Sequence, residues 1–417
     1  MIKTTEWGSK NLREALNFNN DCVVRSVKEV TSAVRAVINS KNQKLTDNEV
    51  LELIEDLVLE NPQTAYYSFD KKSEIVDRVF NTTRKDLDIL QPLADDESIS
   101  EIMVNGIDSI FIERNGIIEE TSLAFDDVTQ LEELIRRLSA KMHKEINELN
   151  PIVDFRLSDG SRVNAVYGNI CLNGPVLTIR KFPKTDITMD QLVKLGTITE
   201  TAANYLKTLV ENRNNIFISG GTSSGKTTFL NCLSNYIGEN ERIIVIEDSS
   251  ELKINATKNI IRMETKQANQ QGIGMVSMED LIKTSLRMRP DRIIVGEVRG
   301  KEVKDMLQAM NTGHDGSLST GHGNSPVGML SRLETMYLSA VDFPIEAIRG
   351  QIYLAIDYIV HLCKLKDNSR KVIEISELSS YENGYIQLNP IFKYNYSKSM
   401  LERTDYISVG RRKEITM

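Results

Sequence analysis

No stretch of this 417-residue sequence approaches the roughly 18–20 consecutive apolar residues that a membrane-spanning helix needs. Any work at a membrane is therefore expected from the water side. The amino-terminal run MIKTTEWGSKNLREALNF lacks an apolar core followed by a small-residue cleavage site, so no secretory leader is expected there. Cysteine is sparse: Cys22, Cys171, Cys232 and Cys363 lie far apart, and no two have metal-ligand spacing. They read as reduced thiols of a cytosolic protein rather than as a disulfide frame. No internal repeat and no low-complexity segment is present. The net charge of -8 excludes a surface that is basic as a whole, and no nucleic-acid partner is expected.

Forty per cent of the residues are apolar and 26% charged, the proportions of a soluble protein with a sizeable core. Residues 1–86 are polar with helical periodicity. In DNEVLELIEDLVLE, Val50, Leu51, Ile54, Leu57 and Val58 share one stripe, expected to pack inward within a helical amino-terminal region. Residues 87–185 change character. ISEIMVNG, SIFIERNG and IIEETSLAF are short, β-rich and punctuated by glycine, the amphipathic helix VTQLEELIRRLSAKM follows, and VDFRLSDGSRVNAV and PVLTIRKF are again strand-like. This predicts a compact α+β domain. A linker with a short helix is expected over 186–199. From 200 to 417 helices and strands alternate, which predicts a mostly parallel α/β sheet; the tail from Tyr394 onward is polar and carries no clear pattern.

The stretch GGTSSGKT, Gly220–Thr227, fits G-x-x-x-x-G-K-[ST] in full, with an apolar strand before it and a helix after it. Gly220, Gly221, Thr222, Ser223, Ser224 and Gly225 form a loop whose backbone N–H groups would cradle phosphate. Lys226 would span to the β- and γ-phosphates, and Thr227, followed by Thr228, would reach Mg2+. No N-K-x-D pattern is present to read guanine, which favours ATP over GTP.

Two acidic strand ends follow. RIIVIEDSSEL carries Glu247, Asp248 and Glu251, and RPDRIIVGEVRG carries Glu297. In open α/β sheets ligands sit at the carboxyl ends of the strands, so these acids are candidates to orient an attacking water and to hold the metal, with Thr227, Glu247 and Glu297 as the metal set. The glycine-rich NTGHDGSLSTGHGNSP holds His314 and His322. Zinc binding is a poor reading, because Asp315 is the only nearby acidic ligand and no cysteine is close. Both histidines are read as donors that sense the γ-phosphate.

These four elements, in this order, resemble the secretion-superfamily ATPases of type II and type IV secretion systems and type IV pili: a Walker A loop (GGTSSGKT), an Asp box (VIEDSSEL), an atypical Walker B (RIIVGEVRG) and a His box (GHDGSLSTGHGNS). The likeness covers about 87–395. EIMVNG, NPIVDFRLSDGSRVNAV, LTIRKF and MNTGHDGSLST look most similar to the tight-adherence (Flp) pilus branch, the TadA/CpaF type. The resemblance implies a RecA-like P-loop NTPase domain preceded by a smaller α+β (PAS-like) domain. It also implies a homo-hexamer in which that smaller domain lies over the neighbouring subunit's nucleotide. Arg162 and Arg180, with Arg156 as a third candidate, would reach the γ-phosphate from there. By the same likeness Glu251 is the first choice to activate water and Glu297 to hold Mg2+ through water, with the two roles open to exchange. Arg287 and Arg299 match family positions without an assigned role. Three departures stand out: Ser249-Ser250 replaces the proline common after Glu-Asp, Gly321 and Gly323 flank His322, and no C-x-x-C pair is present.

The function so implied is an ATP-hydrolysing motor, peripheral at the cytoplasmic face of the inner membrane. It would act through a polytopic membrane platform protein on pilin or secreted cargo. A conjugation-type ATPase of the VirB11 kind is the first alternative. A non-hydrolysing nucleotide-binding scaffold and a RecA-like motor on nucleic acid are weaker ones, set against the intact Glu251, Glu297 and histidine set and the acidic balance.

Overall fold

The structure is a computed structural model that describes residues 6–40, 45–182, 187–266, 268 and 273–410, with side chains from residue 23 onward. The chain divides into two compact units, 1–184 and 185–417.

The first unit opens with helices α1 (Glu6–Ser40), α2 (Asp47–Glu60) and α3 (Phe69–Arg84). Helix α2 starts on a capping box in which Thr46 and Glu49 satisfy each other's backbone N–H, and it stops just before Pro62. Its stripe packs inward: Val50, Ile54 and Val58 are buried against Val27, Val34, Ile75 and Val79 of the flanking helices. Leu51 and Leu57 lie half-buried at the edges of that stripe.

After the short helix α4 (Gln91–Asp95) come β1 (Ile99–Asn105), β2 (Ile110–Arg114), β3 (Ile117–Glu120), helix α5 (Val128–Lys141), β4 (Ile152–Arg156), β5 (Arg162–Val166) and β6 (Val176–Arg180). They form one antiparallel sheet in the order β3-β2-β1-β6-β5-β4. Asn115 and Gly116 turn β2 into β3 with φ of 52° and 81°, the two positive values a tight hairpin of matching twist requires. Alternation assigns the faces. Ile102, Val104, Val163, Ala165, Leu177 and Ile179 pack on Leu131, Leu134, Ile135 and Leu138 of α5, and the residues between them face the other way.

The second unit contains α6 (Met189–Lys194), α7 (Glu200–Glu211), β7 (Ile216–Gly220), α8 (Lys226–Ser234), β8 (Ile243–Glu247), β9 (Ile260–Glu264), α9 (Met278–Ser285), β10 (Arg292–Val298), α10 (Val303–Asn311), β11 (Leu318–His322), α11 (Pro326–Leu338), α12 (Ile345–Ala355), β12 (Tyr358–Lys364), β13 (Arg370–Glu382), β14 (Tyr385–Asn395) and β15 (Met400–Arg403). Its nine-stranded sheet runs β15-β14-β13-β12-β7-β11-β10-β8-β9. The stretch from β12 to β9 is parallel and β13–β15 extend it antiparallel. The polar tail, patternless in the sequence, supplies the last of these strands. Successive residues of β7 serve opposite layers. Ile216 and Ile218 pack with α7 and α8, while Phe217 packs with α10, α11 and α12. Among the described residues no helix is long and apolar enough to cross a membrane.

Candidate active site

Strand β7 is buried along its whole length, as expected of a parallel strand covered on both faces. The chain leaves it at Gly220 and re-enters helix at Lys226. The turn between is tight. A Cβ on Gly220 would lie 2.5 Å from the Leu362 carbonyl oxygen and 2.5 Å from Ser224 Oγ. Gly225 has φ of 92°, a conformation that side chains rarely adopt. Ser224 Oγ donates to the Gly221 carbonyl at 2.9 Å and holds the loop in its curl. Helix α8 starts directly on this loop, so its unsatisfied N–H groups and positive dipole end are available there to an anion.

Lys226 is only 7% exposed. Its ammonium donates to the carbonyls of Gly220 at 3.1 Å and Gly221 at 2.8 Å. Burial lowers its pKa from the ordinary lysine value; Glu297 opposes that and Arg299 adds to it.

The sheet brings two distant residues to the same place. Strand β11 pairs with β7 so that His322 is level with Gly220, and β10 lies on the far side of β11. His322 Nδ1 is 3.4 Å from Lys226 Nζ, and its Nε2 is 2.7 Å from Glu297 Oε1. An ammonium only donates, so Nδ1 is the accepting nitrogen and Nε2 carries the proton of the neutral ring. Apart from this close approach of His322, Glu297 Oε1 is a buried oxygen without a hydrogen-bond partner. Burial lowers the His322 pKa, with Glu297 opposing and Lys226, Arg299 and Arg332 adding, which favours the neutral ring.

The other Glu297 oxygen, Oε2, accepts from Arg299 Nη2 at 2.7 Å and Nε at 3.1 Å. Arg299 Nη1 lies 3.5 Å from Asp248 Oδ2. Arg299 therefore joins the acidic end of β10 to the acidic turn after β8. Within that turn Glu247 is buried, and its Oε1 accepts from the backbone N–H of Glu251 at 2.8 Å and of Leu252 at 3.1 Å.

A family model described as type II/IV secretion system protein matches residues 83–393. The chain belongs to that family. The conjugal transfer protein TrbB of Rhizobium radiobacter is 32% identical over 299 residues, 70% of this chain and 88% of its own. An uncharacterised protein of Methanocaldococcus jannaschii, MJ0781, is 44% identical over 244 residues; the match spans 56% of this chain and 33% of that protein's length. A solved structure of the pilus retraction motor PilT with bound ADP aligns with a TM-score of 0.51 at 21% identity, covering 77% of this chain and 83% of that one. The fold is thus that of the RecA-like secretion ATPases.

In this secretion-family chain the two histidines of the His box are not neighbours. Leu318 is level with Ile216 and His322 with Gly220, so the ends of β11 are separated by about 13 Å at roughly 3.3 Å per residue. His314 lies before the far end, where its Nδ1 is 3.0 Å from the Ala309 carbonyl oxygen near the end of α10. Within one subunit the Gly220 end of the sheet receives His322, and His314 is held toward the opposite end. Arg287 is exposed just beyond α9, where it donates to the Lys283 carbonyl at 3.2 Å.

Two residues of this family member escaped the sequence reading. His361, on β12, is level with Ser219; its Nδ1 is 3.2 Å from Ser219 Oγ and the ring is 7% exposed. Arg370, at the start of β13, donates through Nε to the Ser223 carbonyl at 3.0 Å. The one signal available for His361 was a lone polar residue inside the apolar run YIVHLC.

In the first unit, Arg156 is the cross-strand partner of Arg162, and Arg162 of Arg180. The three stand in one row. They lie on the face away from α5, because their strand neighbours Phe155, Val163 and Ile179 are the buried ones.

Proposed function

We propose that this chain is an ATP-hydrolysing motor, converting ATP to ADP and phosphate at the cytoplasmic face of a membrane. The observation that carries the reading is the convergence of Lys226, His322 and Glu297 at the mouth of a complete P-loop. The loop would hold the triphosphate through the N–H groups of 220–228, with Lys226 leaving its two carbonyl partners for the β- and γ-phosphates.

The residues present fit Mg2+. Thr227 follows Lys226 on α8, and Glu297 offers a buried oxygen without a hydrogen bond. Among the described residues no group of three or more His, Cys, Asp and Glu could hold a metal by itself. That suits an ion which keeps its waters and shares the substrate's phosphates. When bound, Mg2+ would neutralise charge between the β- and γ-phosphates. Glu247 is assigned instead to building the turn that carries Glu251, since its Oε1 already serves two backbone N–H groups. Glu251 orients the attacking water, and neutral His322 donates to the γ-phosphate.

The domain scheme proposed is a helical region over 1–86, the α+β domain over 87–185, a linker over 186–199 and the RecA-like domain over 200–417. In a homo-hexamer the α+β domain would lie over the neighbour's nucleotide and bring Arg162, Arg180 and Arg156 to its γ-phosphate. Phosphate loss would then become domain rotation. The output proposed is pilus assembly or protein secretion through a polytopic platform protein, with the TadA/CpaF-like phrases supporting that branch. The likeness to TrbB favours a second reading, a conjugation or type IV secretion ATPase with the same chemistry and another cargo.

The deciding experiment is a pull-down with Glu297→Gln, which should stall with ATP bound, from gently solubilised native membranes. Recovery of a small polytopic membrane protein with pilin-like subunits supports the pilus reading. Conjugation proteins or DNA move the assignment to the second reading. Recovery of no membrane partner overturns both.

A further inference from the structure

The arginine row has acidic neighbours on the same rung of the sheet. Arg180 on β6 is the cross-strand partner of Glu101 on β1, and Glu101 is the partner of Glu113 on β2. The rung therefore reads Glu113, Glu101, Arg180, Arg162, Arg156 across adjacent strands. Ile102, Ile112, Ile179 and Val163, the strand neighbours of these residues, belong to the core on the other face, so all the charges share one face.

Directly opposed side chains in an antiparallel pair have Cβ atoms about 4.5–5.5 Å apart, where like charges destabilise and opposite charges stabilise. Three adjacent guanidinium groups repel one another, and Glu101 is the acid that stands next to Arg180 on the rung. The two acids are not equivalent. Glu113 is engaged through Oε2, which accepts from Ser100 Oγ at 2.9 Å. Glu101 is half-buried and lies between Glu113 on one side and Arg180 on the other. Burial raises its pKa, Arg180 lowers it and Glu113 raises it. Arg180 attracts the Glu101 carboxylate from one side and Glu113 repels it from the other, so the charge of Glu101 acts on Arg180 across the cross-strand spacing.

We propose that Glu101 is a positioning residue for Arg180: it anchors the end of the arginine row, so that this guanidinium is presented to a phosphate group in the geometry that catalysis needs. This rests on the reading that the row acts on a neighbouring subunit's nucleotide. Glu101 itself touches no substrate in this scheme. Without it Arg180 keeps its charge and loses its orientation, which lowers turnover more than nucleotide binding.

The test is a double-mutant cycle in the purified full-length chain, with ATP turnover, ATP KM and thermal melting measured for Glu101→Gln, Arg180→Ala and the pair. Glutamine keeps the shape of the side chain and removes its charge. Glu101→Gln is expected to lower kcat about tenfold at unchanged KM and unchanged melting temperature. Arg180→Ala should lower kcat further, and the double variant should match Arg180→Ala alone, because Glu101 acts only through that arginine. Equal effects of Glu101→Gln in both backgrounds overturn the proposal, and so does a lowered melting temperature that accounts for the loss. Wild-type turnover by Glu101→Gln beside an impaired Arg180→Ala overturns this inference and leaves the arginine reading standing. Wild-type turnover by Arg180→Ala overturns both.

Discussion

His322 Nε2 stands 2.7 Å from Glu297 Oε1, across the ends of two neighbouring parallel strands. The pairing is made by register, since the residues are 25 positions apart in sequence and their strands end at the same edge of the sheet. Lys226 faces the other ring nitrogen, which fixes the neutral tautomer that donates from Nε2. A donor on the β11 side and a carboxylate on the β10 side thus bracket the mouth of the P-loop.

His322→Ala should lower the rate of phosphate release at saturating ATP by about a hundredfold or more, within the range for loss of one transition-state donor. His314→Ala should stay close to wild type, because His314 is held near the Ala309 carbonyl at the other end of β11. The comparison is made by phosphate-release kinetics on the two variants together. An equal loss in both would place His314 at the phosphate end after all.

Lys226→Ala should abolish turnover, with a loss of at least about a hundredfold. The side chain is already buried between two carbonyls at the loop, so little rearrangement is needed for it to reach a phosphate. Wild-type-like hydrolysis by this variant would falsify the P-loop assignment.

Arg162→Ala should cut turnover by about a thousandfold, the lower end of the range for an arginine acting in trans. Binding of a fluorescent ATP analogue should be unchanged, since Arg162 belongs to the α+β sheet and the loop at Gly220 is intact. A parallel loss of binding would show instead that the arginine belongs to the resident nucleotide's own pocket.

Gly220→Ala should destabilise the second unit by about 1–3 kcal/mol, the range for overpacking. The added Cβ would meet the Leu362 carbonyl at 2.5 Å, and that backbone is pinned by its pairing to β7. Thermal melting checks this, and an unchanged transition would mean that β12 yields.

His361 makes stability pH-dependent in a definite direction. Burial lowers its folded-state pKa from the ordinary 6.5, with Glu374 opposing and Lys226 adding. Between the folded and unfolded values the unfolded chain binds more protons, so this contribution is present above about 6.5 and is lost as pH falls through the folded value. Urea midpoints at pH 7.5 and 5.5 should differ more for wild type than for His361→Gln. Equal differences would remove His361 as a source.

Much of the site was legible in the linear order. GGTSSGKT, RIIVIED and RIIVGEVRG each combine an apolar strand with the residues that end it, and periodicity with chemistry in one short window is a local signal. His314 and His322 looked equivalent because both occupy the same glycine-rich stretch. Which of them reaches the phosphate end depends on where β11 begins and ends. His361 was missed because a single histidine in an apolar strand is also the pattern of an ordinary core residue. The antiparallel extension was missed because β13–β15 lie at one side of the sheet with mixed burial, and their alternation is weak.

The sequence by itself determined the helical stripe of α2, the hairpin turn at Asn115-Gly116, the phosphate loop and the order of the acidic strands. Each of these is settled by interactions within about ten residues: helical repeat, positive φ, alternation or a local cap. Tertiary structure alone decided the strand register that sets His322 beside Glu297, separates His314 from it, slips His361 under Ser219 and lines Glu101 up with three arginines. Register depends on how many side chains each sheet face can bury against its helices, a sum over residues far apart in the chain. No short window of sequence contains that sum.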